Sequence, residues 1–256
     1  MLAPNRTPSA HAVSQYANTT GNLSARIAIH QFSTNPQDWF SWLDERIPRA
    51  GDVLEVGAGT GALWQRLDPT GLRLTLTDFS AAMCAHLRAG TSARVVRCDA
   101  TALPFPDGHF DSVIANHMLY HLDDPESGVR EFARVLRPGG RVTIATNGRR
   151  HLAELNDLAV AIGRADLVLA TNQNDFTAEA GPALVARHFA DVRVEAYPGD
   201  LAVPAAEPVI AVLNSLGEQP LNQSQEAAAR DRIGAAIAAD GCYRIAKHTV
   251  LITATR

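Results

Sequence analysis

The stretch Val53-Leu54-Glu55-Val56-Gly57-Ala58-Gly59-Thr60-Gly61-Ala62-Leu63 decides the fold. Its first half is a short apolar run with two valines, the pattern of a strand buried on both faces of a parallel sheet. Glycines at 57, 59 and 61 then turn the chain, and Leu63, Trp64 and Leu67 return at helical spacing. Glycine lets the backbone bend sharply and lets a ligand approach it without meeting a Cβ. The first turn of the following helix offers unpaired N–H groups. Strand, glycine turn and helix together describe a nucleotide-type site at the carboxyl end of a sheet. Gly57-x-Gly59-x-x-Ala62 also fits the dinucleotide fingerprint, so this stretch alone leaves NAD and other nucleoside ligands open.

Downstream, strands alternate with helices. The patterns predict strands at 52–56, 72–77, 94–97, 110–115 and 141–146, with helices at 80–87, capped by Ser80, and at 126–136, stopped by Pro138-Gly139-Gly140. Such alternation implies a doubly wound parallel sheet with right-handed crossovers. Upstream, 36–47 reads as a helix with Pro36 in its first turn and Pro48 at its end, its Trp39, Trp42 and Leu43 stripe packing on the sheet. Residues 16–32 carry a weaker helical pattern through Leu23, Ile27, Ile29 and Phe32. Helices are expected over 151–162 and 178–189, a sixth strand at 192–197, helices near 207–216 and 225–239, and a last strand from 243 to 253. So long an excursion before the final strand suggests a lid inserted into the sheet.

Composition narrows the function. The 256 residues suffice for one α/β domain with an appended cap, and 46% hydrophobic with 20% charged residues is ordinary for a soluble globular chain. A formal net charge of −4 without a Lys/Arg-rich run speaks against nucleic-acid binding. Three cysteines, at 84, 98 and 242, have no metal-ligand spacing and suit a reducing compartment. No stretch approaches the ~20 apolar residues that span a bilayer. Residues 1–14 lack the apolar core of a signal peptide, so a cytoplasmic protein without a membrane partner is expected.

Four features fall at strand ends on one edge of the expected sheet: the glycine turn, Asp78, Asp99-Ala100 and Asn116. An acidic residue such as Asp78, 17 residues after Gly61, suits the ribose hydroxyls of an adenosine. At this point the chain resembles the class I S-adenosylmethionine-dependent methyltransferases of the small-molecule type. The resemblance is carried by Glu55-Val56-Gly57-Ala58-Gly59-Thr60-Gly61, Thr77-Asp78-Phe79-Ser80, Cys98-Asp99-Ala100-Thr101-Ala102-Leu103-Pro104-Phe105, Phe110-Asp111-Ser112-Val113 and Leu136-Arg137-Pro138-Gly139-Gly140.

It implies a Rossmann-like, seven-stranded, mostly parallel sheet. An N-terminal helical cap (1–48) would precede the cofactor domain (49–256), whose lid insertions lie near 164–177 and 204–241. It further implies S-adenosylmethionine as cofactor and S-adenosylhomocysteine as product. Gly57, Gly59 and Gly61, with Glu55 and Ala58 of the same motif, would line the methionyl and ribose parts. Asp78 would hold the ribose diol, with Phe79 and Met83 beside the adenine. Asp99 and Ala100 would read the adenine edge, and the Asn116 backbone would face the methionine amino group. Adenine contacts from two strand ends weaken the NAD alternative. A protein that binds the cofactor without turnover is the other alternative.

Methyl transfer needs an aligned acceptor, and a base only where the acceptor must lose a proton. His117 and His121, four apart after the fourth strand, are the candidate base or acceptor-positioning groups, on one face if that segment is helical. Without a third ligand candidate nearby, no metal is expected. Tyr16 and His30 are placed to close over the cofactor or touch the acceptor. Acceptor specificity is expected in Thr171-Asn172-Gln173-Asn174-Asp175-Phe176 and in 207–222, since loops on a rigid scaffold carry it. The expected partner is a small-molecule acceptor, for example a secondary-metabolite intermediate, and a homo-oligomer is left open.

Overall fold

The architecture was analysed on a computed structural model, which describes residues 26, 28–168 and 175–256. Five strands, β1 (Gly51–Val56), β2 (Leu72–Asp78), β3 (Arg94–Arg97), β4 (Phe110–Asn116) and β5 (Leu136–Asn147), lie parallel. Two later strands, β6 (Ala190–Tyr197) and β9 (Thr249–Thr255), complete a seven-stranded sheet ordered β3-β2-β1-β4-β5-β9-β6. β9 runs antiparallel to both of its neighbours. The order reverses at β1, and in open α/β sheets such a switch point, outside the carboxyl ends of the two strands beside it (here β1 and β4), is where ligands bind.

Both sheet faces are covered, as the apolar run in β1 demands. Leu54 and Val56 pack with Val113, Val142, Phe132 and Phe176 on one face. Val53 packs with Leu76, Ile114, Trp42, Leu43 and Leu87 on the other. The helices on these faces are α1 (Trp39–Asp44), α2 (Ala62–Arg66), α3 (Ala81–Gly90), α4 (Pro125–Val135) and α6 (Gly181–Val185), whereas α5 (Ala153–Ala161) packs into a separate core. Ser80 caps α3 by accepting from the Met83 N–H. α4 starts on Pro125, with Asp124 accepting from Ser127 N at 3.0 Å.

Several boundaries differ from the sequence reading, each for a local reason. α1 begins after Asp38, whose carboxylate caps the Phe40 and Ser41 N–H groups, so Pro36 precedes the helix. β5 starts at Leu136, opposite Phe110, and its register then shifts across the Pro-Gly-Gly segment before Arg141 pairs with Ser112. The expected helix over 178–189 is reduced to the short α6. The expected last strand is two. β8 (Tyr243–Ile245) pairs with β7 (Leu201–Val203) in a separate two-stranded sheet, and only β9 joins the main one.

That small sheet, with α7 (Ala206–Leu216) and α8 (Gln223–Asp240), forms a layer above the carboxyl edge. It has its own core, in which Val209, Leu213, Ile233 and Ile245 meet Leu155 and Leu158 of α5 and Ile29 of the short 3-10 turn Ile29–Phe32. No helix among the described residues is long and apolar enough to cross a membrane.

Candidate active site

Each of the sequence-predicted positions that the structure describes on strands β1 to β4 stands at or just past a carboxyl strand end. The turn after β1 is held by Ala58 N donating to Thr77 O at 2.9 Å and Gly61 N to Ala58 O at 2.9 Å. Its glycines answer different demands. A Cβ on Gly57 would stand 2.7 Å from Met118 Cβ, and one on Gly61 2.8 Å from Leu87 Cδ2, so both are excluded by the protein's own packing. Gly59, at φ +56°, would meet nothing within 4 Å. Of the three, only Gly59 leaves open space where a Cβ would stand.

Asp78 organises this corner. Its Oδ2 accepts from Gly59 N at 2.9 Å and its Oδ1 from Ser80 N at 2.8 Å, joining the glycine turn to the start of α3. Behind it Glu55 is 2% exposed and accepts from the Trp64 indole at 2.6 Å. Burial pushes the Glu55 carboxyl up to about 7; the Trp64 bond opposes this and the charge of Asp78 adds to it. Phe79 stands 57% exposed, steadied by Arg97, which donates to its carbonyl at 2.9 Å and covers its ring at 5.9 Å. Met83 is half-buried on the first turn of α3.

Beyond β3, Asp99 Oδ1 accepts from the Thr101 N–H and hydroxyl, each at 2.8 Å, and Ala100 is buried. Register makes these neighbours of Asp78, since Cys98 N donates to Asp78 O at 3.2 Å. At the end of β4 the Asn116 side-chain Oδ1 is buried and accepts no hydrogen bond. An orphaned buried acceptor is costly and asks for a donor from a ligand. The sequence reading had used the Asn116 backbone; the side chain carries the unmet demand.

His117 sits at φ +57°, an uncommon conformation for a residue with a side chain, with its N–H on Ala145 O at 3.1 Å. Its ring lies 5.3 Å from that of Trp39 and 6.3 Å from that of Tyr120. Burial pulls its imidazole down to about 4, with the charges of His30 and His121 adding. The four-residue spacing to His121 does not produce a shared helical face. The left-handed turn at His117 is followed by a single 3-10 turn, Leu119–His121, in which His121 packs on Tyr120 with ring centroids 4.5 Å apart.

His30, on the turn before α1, is lowered by the packing around it and by Lys247. Tyr16 and the polar run 171–174 lie outside the described residues. The described residues bring no group of three or more His, Cys, Asp or Glu together as a metal site.

The other half of this edge holds residues the sequence reading had not singled out for function. Trp39, read as a packing residue of its helix, lies 5.2 Å from Tyr197 at the end of β6. Lys247 stands 4.5 Å above the Tyr197 ring, and buried His151 accepts from His248 N at 3.0 Å. Apolar spacing and strand length gave no signal for these, because they meet only when β6 and β9 pair. A cavity of about 570 Å³ opens at the opposite edge, between Asp52, Thr70, Arg73 and Arg94. There Arg73 is already paired with Asp52, and none of the strand tips reaches it.

A sheet of this order with a glycine turn after β1 and an acidic end on β2 defines a Rossmann-like methyltransferase fold. Comparison agrees: residues 54–144 match the family described as Methyltransferase domain. The chain is 43% identical over 106 residues to the demethylmenaquinone methyltransferase of Mycolicibacterium gilvum, a match covering 39% of this chain and 45% of that one. It thus spans less than half the length of that relative.

Among solved structures, phosphoethanolamine N-methyltransferase 2 of Haemonchus contortus, in complex with phosphomonomethylethanolamine and S-adenosylhomocysteine, superposes at TM-score 0.59. Its identity is 17%, covering 98% of this chain and 60% of that one. The cyclase SpnF superposes at 0.58 with 18% identity, covering 98% and 97%. The chain thus shares the fold of these solved structures, and its residues 54–144 carry the similarity to the Methyltransferase domain family.

Proposed function

We propose that this protein transfers the methyl group of S-adenosylmethionine to a small-molecule acceptor, releasing S-adenosylhomocysteine. The observation that carries the reading is the joint between Gly59 and Asp78. A main-chain turn open to solvent is tied to a carboxylate at the next strand tip, which suits a ribose against the turn with its hydroxyls on Asp78. Phe79 and Met83 offer faces for the adenine, and Asp99 and Ala100 its edge. Asn116 Oδ1 would accept from the ammonium of the methionyl group, meeting the one unsatisfied acceptor at that end. Glu55 and Ala58 support the turn from behind. The described part of the cap, 28–48, and Tyr16 before it would close the site.

When bound, the cofactor supplies an electrophilic methyl on a sulfonium, displaced in line without a covalent enzyme intermediate. The protein's part is to align the acceptor and exclude water. His117, neutral at physiological pH, would position the acceptor or take its proton, with His121 behind it. The segment that matches the family model ends at residue 144, before Tyr197, Lys247 and the α7–α8 layer. A quinone-type acceptor, as the relative's name indicates for that protein, is therefore one class to try, beside secondary-metabolite intermediates. A formal net charge of −4 favours neither nucleic acid nor an anionic membrane surface as partner.

Thermal-shift titration with S-adenosylmethionine, S-adenosylhomocysteine and NAD tests the cofactor, since a ligand bound to the native state raises its melting temperature. Stabilisation by the first two alone is expected; stabilisation by NAD alone would overturn the reading. Incubation with methyl-labelled cofactor and a metabolite extract then tests turnover. Cofactor binding with no labelled product would leave a binding protein on a methyltransferase fold.

A further inference from the structure

The carboxyl edge divides into two halves with opposite unmet demands. At β1 to β4 the unsatisfied buried atom is an acceptor, Asn116 Oδ1. On the side where β6 ends and β9 begins, the unmet groups are donors. The Trp39 indole N–H is buried without a partner. Lys247, the single lysine of the chain against 22 arginines, is half-buried. Its ammonium donates to Ser33 Oγ at 3.2 Å and stands over Tyr197.

Among the described residues no carboxylate lies within ion-pair distance of Lys247 Nζ. Asp200, the acidic group acting on it, is bonded instead to the Lys247 backbone N–H at 3.2 Å. The charge of Lys247 acts on His30 and His151, and that of His30 on His117. The carboxylates at its chain neighbours are engaged there, Glu154 by the Ala246 N–H at 2.9 Å and Glu179 beside His248 at 3.5 Å. His151 Nδ1 already accepts from His248 N, so the neutral ring carries its proton on Nε2, another donor. A desolvated cation is costly unless a counter-charge meets it.

We propose that Lys247 anchors an anionic group of the acceptor, and that the acceptor is an aromatic acid whose flat body lies along Trp39 and its carboxylate on Lys247. This rests on the methyltransferase reading and narrows its substrate class. Rings run without a gap from Lys247 through Tyr197, Trp39 and His117 to Tyr120, spaced 5.2 to 6.3 Å between centroids. Tyr197 meets Trp39 edge-on at 85°, and His117 is tilted 52° from both Trp39 and Tyr120, so the run offers ring edges as well as faces, which suits edge-to-face contact with an aromatic ring. Lys247 and Trp39 are thus specificity residues at the end of the cleft remote from the glycine turn.

The test uses the full chain saturated with S-adenosylhomocysteine, titrated calorimetrically with 1-hydroxy-2-naphthoate and with its neutral carboxamide. The acid is expected to bind roughly tenfold or more tighter than the amide, the scale of one charge-assisted hydrogen bond. Lys247→Met should erase this preference, and Lys247→Arg should keep it, with S-adenosylhomocysteine affinity unchanged in both. Equal affinity of the unaltered protein for acid and amide, or binding of neither, overturns the proposal without needing any variant to fold. A preference that survives in Lys247→Met also overturns it. Failure to bind S-adenosylhomocysteine would instead sink the methyltransferase reading itself.

Discussion

Two carboxylates at the glycine turn illustrate how much one residue's surroundings decide. Asp78 accepts from two main-chain N–H groups, Gly59 and Ser80, and so shapes the turn against which the ribose is proposed to lie. Asp78→Ala should weaken S-adenosylhomocysteine binding by about 1–3 kcal/mol, read by calorimetry; unchanged affinity would show that this strand tip does not touch the ligand. Glu55, one strand inward, has its carboxyl raised from 4.5 to about 7, chiefly by burial.

Between those two pH values the folded protein holds a proton on Glu55 that the unfolded chain has released. Stability from this group is therefore full below the unfolded value, falls as pH rises from 4.5 to 7, and is flat above. At about 1.4 kcal/mol per pH unit the total is about 3 kcal/mol. Glu55→Gln should flatten that slope in urea unfolding series run between pH 5 and pH 8. A variant with the parent's slope would place the proton elsewhere. Glu55 and Asp78 were both legible as motif members; their different states were not, because desolvation depends on what packs over them.

Among the elements, the glycine turn separates structural from functional glycine. Gly57→Ala puts a Cβ 2.7 Å from Met118 Cβ at φ +71°, against an atom that cannot rotate away. It should lower the melting temperature distinctly. Gly59→Ala meets no neighbour, so only the left-handed backbone cost of about 1–2 kcal/mol applies. That variant should fold and lose cofactor affinity. Equal stability loss in the two, measured by thermal unfolding, would contradict the assignment.

The strand order of elements was readable from alternating apolar runs. Boundaries were set by caps and pairings instead: Asp38 rather than Pro36 starts α1, and the single run 243–253 divides because Ile245 enters the core of the upper layer while Val250 and Ile252 enter the sheet. Period-two and apolar patterns are alike in both segments, and only the partner strand tells them apart.

At the scale of the whole molecule, the layer above the sheet is a second packing unit built from distant pieces of chain. Ile29, Leu158, Val209 and Ile233 share one core. We propose it as the lid over the acceptor, set on a sheet of which 54–144 is the part that matches the family model. Ile233, fully buried there, offers a test: Ile233→Ala should cost about 2–5 kcal/mol. Hydrogen exchange should quicken in α7, α8 and β8 while β1, β4 and β5 keep their protection. A uniform increase across the sheet would show that the two cores unfold as one.

What the sequence determined by itself was the set of strand tips proposed to hold the cofactor: the run Val53–Leu63 and the acidic strand ends at 78 and 99 are contiguous signals, each interpretable from near neighbours in the chain. Tertiary structure alone decided the cluster proposed to hold the acceptor. Trp39, Tyr197 and Lys247 are separated by 158 and 50 residues. They meet because β9 reverses between β5 and β6 and brings the end of β6 and the start of β9 to one edge. A buried indole N–H without a partner and an ammonium with no carboxylate in ion-pair reach, among the described residues, are properties of that meeting, and no local pattern encodes them.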